Sequence, residues 1–312
     1  MMPEQNITNT DLGLLKTIAG LDGIPSVGAY NLRLNSGSAG RRSTKNIEIT
    51  SKTDRPGIDI RIKPGVKDED VHIPVIIDAS GIAETVYNDF FVGEGADVTI
   101  IAGCGIHNDG CEESRHDGVH RFFIGRDAKV RYVERHYGEG GGTGGRVMNP
   151  ATEVYMEEGS SLEMETVQIG GIDSTVRKTL ARLGDGCRMN LSERLMTHGS
   201  QTAESDVVVE LNGRDSSAGI MSRTVAKDDS TQVFRPRAVG RNACRAHVRC
   251  DSIIMDRAKV SSVPEIAAES ADAQLVHEAA IGRINNEQLL KLMTLGIDEE
   301  RSEEIIVEGF LS

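Results

Sequence analysis

The chain has 312 residues, a formal net charge of −13 at pH 7 and a pI near 5.1, enough length for one large core or two to three smaller pieces. An acidic surface repels phosphate backbones and anionic lipid heads, which argues against nucleic acid and membrane surfaces as partners. No stretch approaches the ~18 consecutive apolar residues of a membrane span, and Met1–Thr10 lacks the basic and apolar regions of a signal peptide, so the expected location is the cytoplasm.

The first predicted element is an amphipathic helix over Asp11–Ala19, with Leu12, Leu14, Leu15 and Ile18 as its apolar side. The polar stretch Asn35–Asn46 reads as a loop or linker. From Asn46 onward Ile47, Ile49, Ile58, Ile60 and Ile62 alternate with polar residues, which is strand periodicity. Pro56-Gly57 and Pro64-Gly65 punctuate these strands as turns.

The middle of the chain repeats. A glycine beside a charged residue, then a small residue and an alternating strand, recurs from Glu94-Gly95 to Gly240-Arg241. Gly159, Gly186, Gly213 and Gly240 are spaced 27 residues apart. Such self-similarity without helical patterns predicts a β-solenoid, in which each turn is covered by its neighbours. A β-sandwich is the competing architecture, but its hairpins recur at about 8–12 residues. The 34 glycines and the absence of Trp suit stacked turns with modest side chains.

Beyond the repeats the pattern becomes helical. One short helix is expected over Gln274–Ile284. A second spans Asn286–Leu295, ended by Gly296 as its C-cap. A third spans Asp298–Glu308 and opens with acidic residues at the positive end of its dipole. The chain therefore divides into an N-terminal helix and linker (1–45), a β-solenoid core (46–270) and a helical subdomain (271–312), an all-β fold with a short C-terminal helical piece.

Five cysteines, an odd and low number, argue against a disulfide framework. The densest group of ligand-type residues is Cys104, His107, Cys111, His116 and His120. Thiolate and imidazole are preferred by iron, zinc and copper, so metal or cluster binding is expected there. The spacing fits neither a zinc finger nor a ferredoxin. The plain alternative is a turn whose histidines only hydrogen-bond. In the second group, Cys244 and Cys250 are six apart, so on a strand they share one face while His247 takes the other. Cys187 reads as a small buried hydrophobe. His277-Glu278 at the start of the helical end is unremarkable alone.

The glycine-rich run Gly140–Gly145 fits a dinucleotide-binding string, but Asn149-Pro150 and a strand follow it instead of a helix, so it reads as a flexible loop. No phosphate-loop motif is present, and ATP hydrolysis would have to come from another chain.

Cys250-Asp251-Ser252-Ile253-Ile254, Pro264-Glu265-Ile266, His277-Glu278-Ala279-Ala280-Ile281-Gly282 and Glu287-Gln288-Leu289-Leu290, followed by Gly296-Ile297 and Gly309-Phe310-Leu311, resemble the closing signature of the SufB/SufD proteins. The resemblance implies a right-handed parallel β-helix that dimerises through its solenoid and assembles a nascent iron–sulfur cluster, expected to be [4Fe–4S], at that interface. It implies C-terminal helices that bind the ABC-type ATPase SufC, and delivery to apoprotein acceptors. Cys250 matches the acceptor cysteine, Glu278 a proposed cluster ligand and His277 its neighbour. The glutamate makes the chain SufB-like. Its short N-terminal part and its Cys104–His120 segment resemble the minimal SufB-like proteins of archaea and anaerobes, which implies a homodimer with two SufC-like ATPases. Cys104, Cys111, His107, His116 and His120 are then expected as further ligands. On this view the chain is a scaffold and not an enzyme. A scaffold that only tethers the ATPase is the alternative. A solenoid hydrolase or lyase would want exposed aromatics, and aromatics are only 4% of the chain.

Overall fold

The computed structural model describes residues 7–312. Helix α1 (Asn9–Ala19) opens at Thr8, whose side chain accepts from the Asp11 amide while Asp11 reaches back to the Thr8 amide. This reciprocal cap satisfies two of the first turn's free donors. The helix stops at Gly20, which is left-handed at φ 66°. Leu14, Leu15 and Ile18 are buried against Leu32, Leu34 and Ile76.

In chain order the strands are β1 (Ala29–Leu34), β2 (Gly37–Arg42), β3 (Ile47–Ser51), β4 (Gly57–Ile62), β5 (Lys67–Ile77), β6 (Ala83–Val92) and β7 (Asp97–His107). Then come β8 (Ser114–Ile124), β9 (Lys129–Glu139), β10 (Arg146–Met148), β11 (Ala151–Met156), β12 (Ser161–Gly170), β13 (Ser174–Leu183) and β14 (Arg188–Thr197). The last are β15 (Thr202–Leu211), β16 (Ser216–Ala226), β17 (Thr231–Gly240), β18 (Cys244–Ile254), β19 (Lys259–Ser262), β20 (Glu265–Ala268) and β21 (Gln274–Gly282). Helices α2 (Asn286–Thr294) and α3 (Glu299–Leu311) close the chain.

Successive strands alternate between two sheets and pair in parallel with the strand one turn away, which makes a β-solenoid of about eight turns. One sheet runs β2-β1-β5-β7-β9-β12-β14-β16-β18-β21. The other runs β19-β17-β15-β13-β10-β8-β6-β4-β3, with β11 and β20 continuing the rows of β10 and β19. Among the described residues only the hairpins β1–β2 and β3–β4 are antiparallel. One face of each strand looks into the bore, so burial alternates along it, as in β15 and β13. Ile60, Phe90 and Phe122 form one inward row of successive turns, and Phe90 and Phe122 stack at 4.4 Å. Each such fully buried side chain is worth roughly 1.5–3 kcal/mol.

The solenoid expectation holds, while its period is not uniform. Ser161 pairs with Arg188, 27 residues on, but Arg188 pairs with Ser217, 29 on, and Cys104 with His136, 32 on. Gly159 and Gly186 do stack, both with positive φ. Gly213 and Gly240 are not their structural equivalents: Asp215 takes the left-handed turn position of the next coil, and Gly240 lies within β17. Strand length is held by the stack, whereas the turns vary.

Three local expectations are corrected. Gly37–Arg42, expected as linker, is a strand, because its backbone finds partners in β1 and β1 in turn extends the sheet from β5. Gln274–Ile284, expected as helix, is largely the strand β21, since pairing along the whole of β18 outweighs the helical preference of its alanines. The solenoid therefore runs to Gly282, and the helical end begins at Asn286. The Gly140–Gly145 loop is packed, not flexible. A Cβ at Gly140, Gly142 or Gly144 would sit within 2.4 Å of backbone in 108–112.

At the far end α3 buries Val307 and Leu311 against Val225, Met196 and Ile253. Helix α2 buries none of its side chains. No helix among the described residues is long and apolar enough to cross a membrane.

Candidate functional site

Strand β18 carries Cys244, Ala246, Val248 and Cys250 into the bore and turns Arg245, His247 and Arg249 outward, as the spacing of the two cysteines required. Strand β21 lies beside it with Val248 opposite His277 and Cys250 opposite Ala279. His277 faces inward, and its Nε2 lies 3.5 Å from Cys250 Sγ. Burial pushes the Cys250 thiol up from its usual range, and the Asp251 and Glu193 carboxylates add to the effect. A cation or a deprotonating partner at the sulfur would reverse this. Glu278, one residue on, takes the opposite face and lies 3.4 Å from exposed His247. Cys250 and His277 therefore converge, whereas Glu278 stands on the outer surface of the same edge.

Among the described residues no strand follows β21 in its sheet, so its outer backbone edge is open. Val263, Ile266, Val276 and Ile281 are large apolar side chains exposed on these last strands. The thiol–imidazole pair thus spans the last two rungs of this sheet, Cys250 on β18 and His277 on β21, the strand with the open, partly apolar edge.

The other expected residues divide between the inside and the outside of the bore. Cys104 on β7 is fully buried among Val75, Ile77 and Ile106. Burial raises its thiol well above the usual value, and the carboxylates of Glu84 and Glu134 raise it further. His116 and His120 on β8 are also buried. His107 lies at the outer end of β7, held between Asp109 at 2.9 Å and Glu139 at 3.2 Å, the Asp109 bond being first in raising its pKa. Cys111 is exposed on the loop before β8. Five inter-strand steps separate β7 from β18. At ~4.8 Å per step that is roughly 24 Å, so Cys104 and Cys250 of one chain do not share a site.

Between them runs a buried polar row. His116 Nδ1 donates to Glu84, 3.1 Å away, which also takes Arg33. Burial alone would raise the Glu84 carboxyl, but His116 and Arg33 more than reverse it and hold it at about 2. His120 Nδ1 meets the Tyr132 hydroxyl at 2.7 Å. Burial is the chief cause that takes His120 down to about 4. Glu134 contacts His136 at 3.4 Å and Arg177 at 3.0 Å. Arg177 also reaches Glu193 at 3.6 Å, and Glu193 accepts from Ser205 and Ser222. Glu193 and Cys250 line the same small cavity.

The sequence pattern did not single out Glu134, His136, Arg177 or Glu193. Their signal was strand parity: Glu134 and His136 are two apart on β9, on its inward face, where apolar residues are the rule. Among the described residues, no three His, Cys, Asp or Glu side chains are already arranged to hold a metal ion.

The model of one protein family, described as the SufBD core domain of SUF-system FeS cluster assembly, matches residues 76–310. An iron–sulfur cluster assembly SufBD family protein of Methanocaldococcus jannaschii is 27% identical over 259 residues, covering 81% of this chain and 79% of that protein. One from Methanothermobacter thermautotrophicus is 26% identical over 262 residues, covering 82% of this chain and 62% of its own length. One from Staphylococcus saprophyticus is 26% identical over 232 residues, covering 70% of this chain and 47% of its own.

Proposed function

The chain belongs to the SufBD core family of iron–sulfur cluster assembly proteins, and from that premise we propose that it is a cytoplasmic scaffold on which a nascent cluster is built as cargo. The observation that carries this reading is the Cys250–His277 pair, 3.5 Å apart beneath the open edge of β21. One thiol and one imidazole are too few donors for a [4Fe–4S] cluster. A second copy docked edge to edge on β21 would bring a matching pair, with Glu278 of each chain beside the seam. Carboxylate oxygen binds iron less tightly than thiolate, which suits a ligand that must let go.

Helices α2 and α3 are the proposed seat of a SufC-like ABC ATPase. Leu290, Met293 and Leu295 are exposed around α2, while α3 is anchored to β16, so the pair offers an apolar face on a fixed mount. ATP hydrolysis belongs to that partner, the chain itself performs no catalysis, and apoproteins receive the product. Cys104, His107, Cys111, His116 and His120 stand away from this edge; as cluster ligands they would form a second site.

Anaerobic reconstitution with Fe²⁺ and sulfide, followed by visible and EPR spectroscopy, tests the reading. Cluster formation in the wild type and its loss in Cys250→Ala support it, and Cys104→Ala and Cys111→Ala report on the second set. A wild type that forms no cluster sinks it. That outcome would favour a scaffold that only tethers the ATPase.

A further inference from the structure

The inner face of β8 reads His116, Gly118, His120. With no side chain at Gly118, a notch opens between the two rings. A Cβ built there would meet His120 Nε2 at 3.2 Å and His116 Nε2 at 3.5 Å. Both Nε2 atoms therefore border one point. The notch belongs to a cavity of about 20 Å³ that Cys104, Asn88, Glu134 and His136 also line. That is room for one water or one ion.

The hydrogen bonds decide which ring nitrogens carry lone pairs. A carboxylate only accepts, so His116 Nδ1 carries a proton for Glu84 and the neutral ring leaves its Nε2 lone pair free. Glu134 lies 4.0 Å from His120 Nδ1 and the Tyr132 hydroxyl oxygen 2.7 Å, so a proton on Nδ1 serves both. His120 Nε2 is then also a lone pair, with only the Asn88 amide at 3.4 Å. Two imidazole lone pairs face the notch, each ring with a carboxylate behind its Nδ1, Glu84 at 3.1 Å and Glu134 at 4.0 Å. This is the outer-shell arrangement that orients histidine ligands to metals.

Charge points the same way. Glu134 and Glu193 are buried and the Glu84 side chain is only 7% exposed, and the guanidiniums facing them are Arg33 and Arg177, two against three. Carboxylates along this part of the bore thus outnumber guanidiniums, surroundings that favour a bound cation.

We propose that the Gly118 notch is a mononuclear site for a first-row transition-metal ion of the Zn²⁺ or Fe²⁺ kind, held by His116 Nε2, His120 Nε2 and the Cys104 sulfur. The three donors are not within bonding distance together as they stand, so binding draws the rings toward the notch. The thiol releases its proton to solvent as the metal–sulfur bond forms. The Arg177 triad separates this site from Cys250, so it is independent of cluster assembly at the β21 edge.

Co²⁺ is the probe, titrated anaerobically into Cys250→Ser/His277→Gln full-length protein, which removes the edge site. The expected result is one equivalent bound, with visible d–d bands and a near-ultraviolet sulfur-to-cobalt charge-transfer band. Gly118→Ala fills the notch while keeping every ligand and lowers Co²⁺ affinity at least tenfold. His120→Gln does the same, and stands in should Gly118→Ala fail to fold. Cys104→Ala keeps the d–d bands but loses the charge-transfer band. Binding below a tenth of an equivalent, or affinity unchanged in both His120→Gln and a folded Gly118→Ala, overturns the proposal. Cluster formation by wild type is measured separately, so the two readings fail independently.

Discussion

Cys250 and His277 are 27 residues apart in the chain and 3.5 Å apart across adjacent rungs of the solenoid. The register of β18 against β21 makes them neighbours, with no loop involved. Cys250→Ala should abolish the reconstituted chromophore. His277→Gln should reduce its yield severalfold while leaving the unfolding midpoint close to wild type, because His277 is only part-buried. Visible absorbance of the reconstituted protein measures the first effect and thermal melting the second. Equal cluster yield in all three proteins contradicts the assignment.

His120 makes stability pH-dependent. Its folded pKa of about 4 lies below its ordinary value of 6.5. Between the two the unfolded chain binds a proton that the folded chain refuses. The contribution is therefore fully present above pH 6.5 and is lost as pH falls toward 4. The loss is ~3 kcal/mol from this group. Denaturant unfolding at several pH values should show the fall, and His120→Asn should flatten it. An unchanged slope in the variant would assign the pH response to other groups.

Arg177 is the sole cation between Glu134 and Glu193 among the described residues. Arg177→Met leaves two buried carboxylates without it and should cost ~3–5 kcal/mol. Adding Glu134→Gln and Glu193→Gln should restore much of the loss, since the cost lies in unpaired charge. Chemical denaturation of the single and triple variants checks both halves.

Leu290 and Leu295 are exposed at 58% and 77%. Replacing both by Glu should lower ATPase co-purification at least tenfold. Folding stability should stay within ~0.5 kcal/mol, as for other surface changes. Retained co-purification would move the ATPase contact elsewhere.

Val276 and Ile281 lie along the open edge and are also exposed. Val276→Lys/Ile281→Lys should convert a dimer to a monomer in sedimentation, by the charge device that natural edge strands use against pairing. A wild type that is monomeric at micromolar concentration removes the dimer from the proposal.

The fold was largely legible because alternation and repetition are properties of short windows. Gly296 and the acidic start at Asp298 placed the ends of α2 and α3 within a few positions: Gly296 follows Leu295, the C-cap of α2, and Asp298 is the N-cap of α3. Strand β21 was hidden because its identity depends on a neighbour 29 residues away, Arg245 opposite Gln274, while its own Ala and Glu prefer helix. The ligand-rich segment was legible as chemistry but not as geometry. Its residues fall on a strand end, a loop and a strand face. Once β8 is known to be a strand, the two-residue spacing from His116 through Gly118 to His120 puts both rings inside. Arg177 could not be paired with Glu134 from sequence, because 43 residues and a change of sheet lie between them.

The two ends of the solenoid are fastened differently. At the start, the β1–β2 hairpin and the β3–β4 hairpin close both sheets, and α1 is laid across β5, β7 and β9. At the finish, β21 holds on by one side only, and the short β19 and β20 rest on β17. A stack of rungs bound only to their neighbours unzips from its weaker end. The short connection from Gly282 to Asn286 joins α2 directly to that last rung. A pull or twist on α2 is therefore delivered first to β21, the strand that carries His277, while the opposite end acts as the fixed clamp.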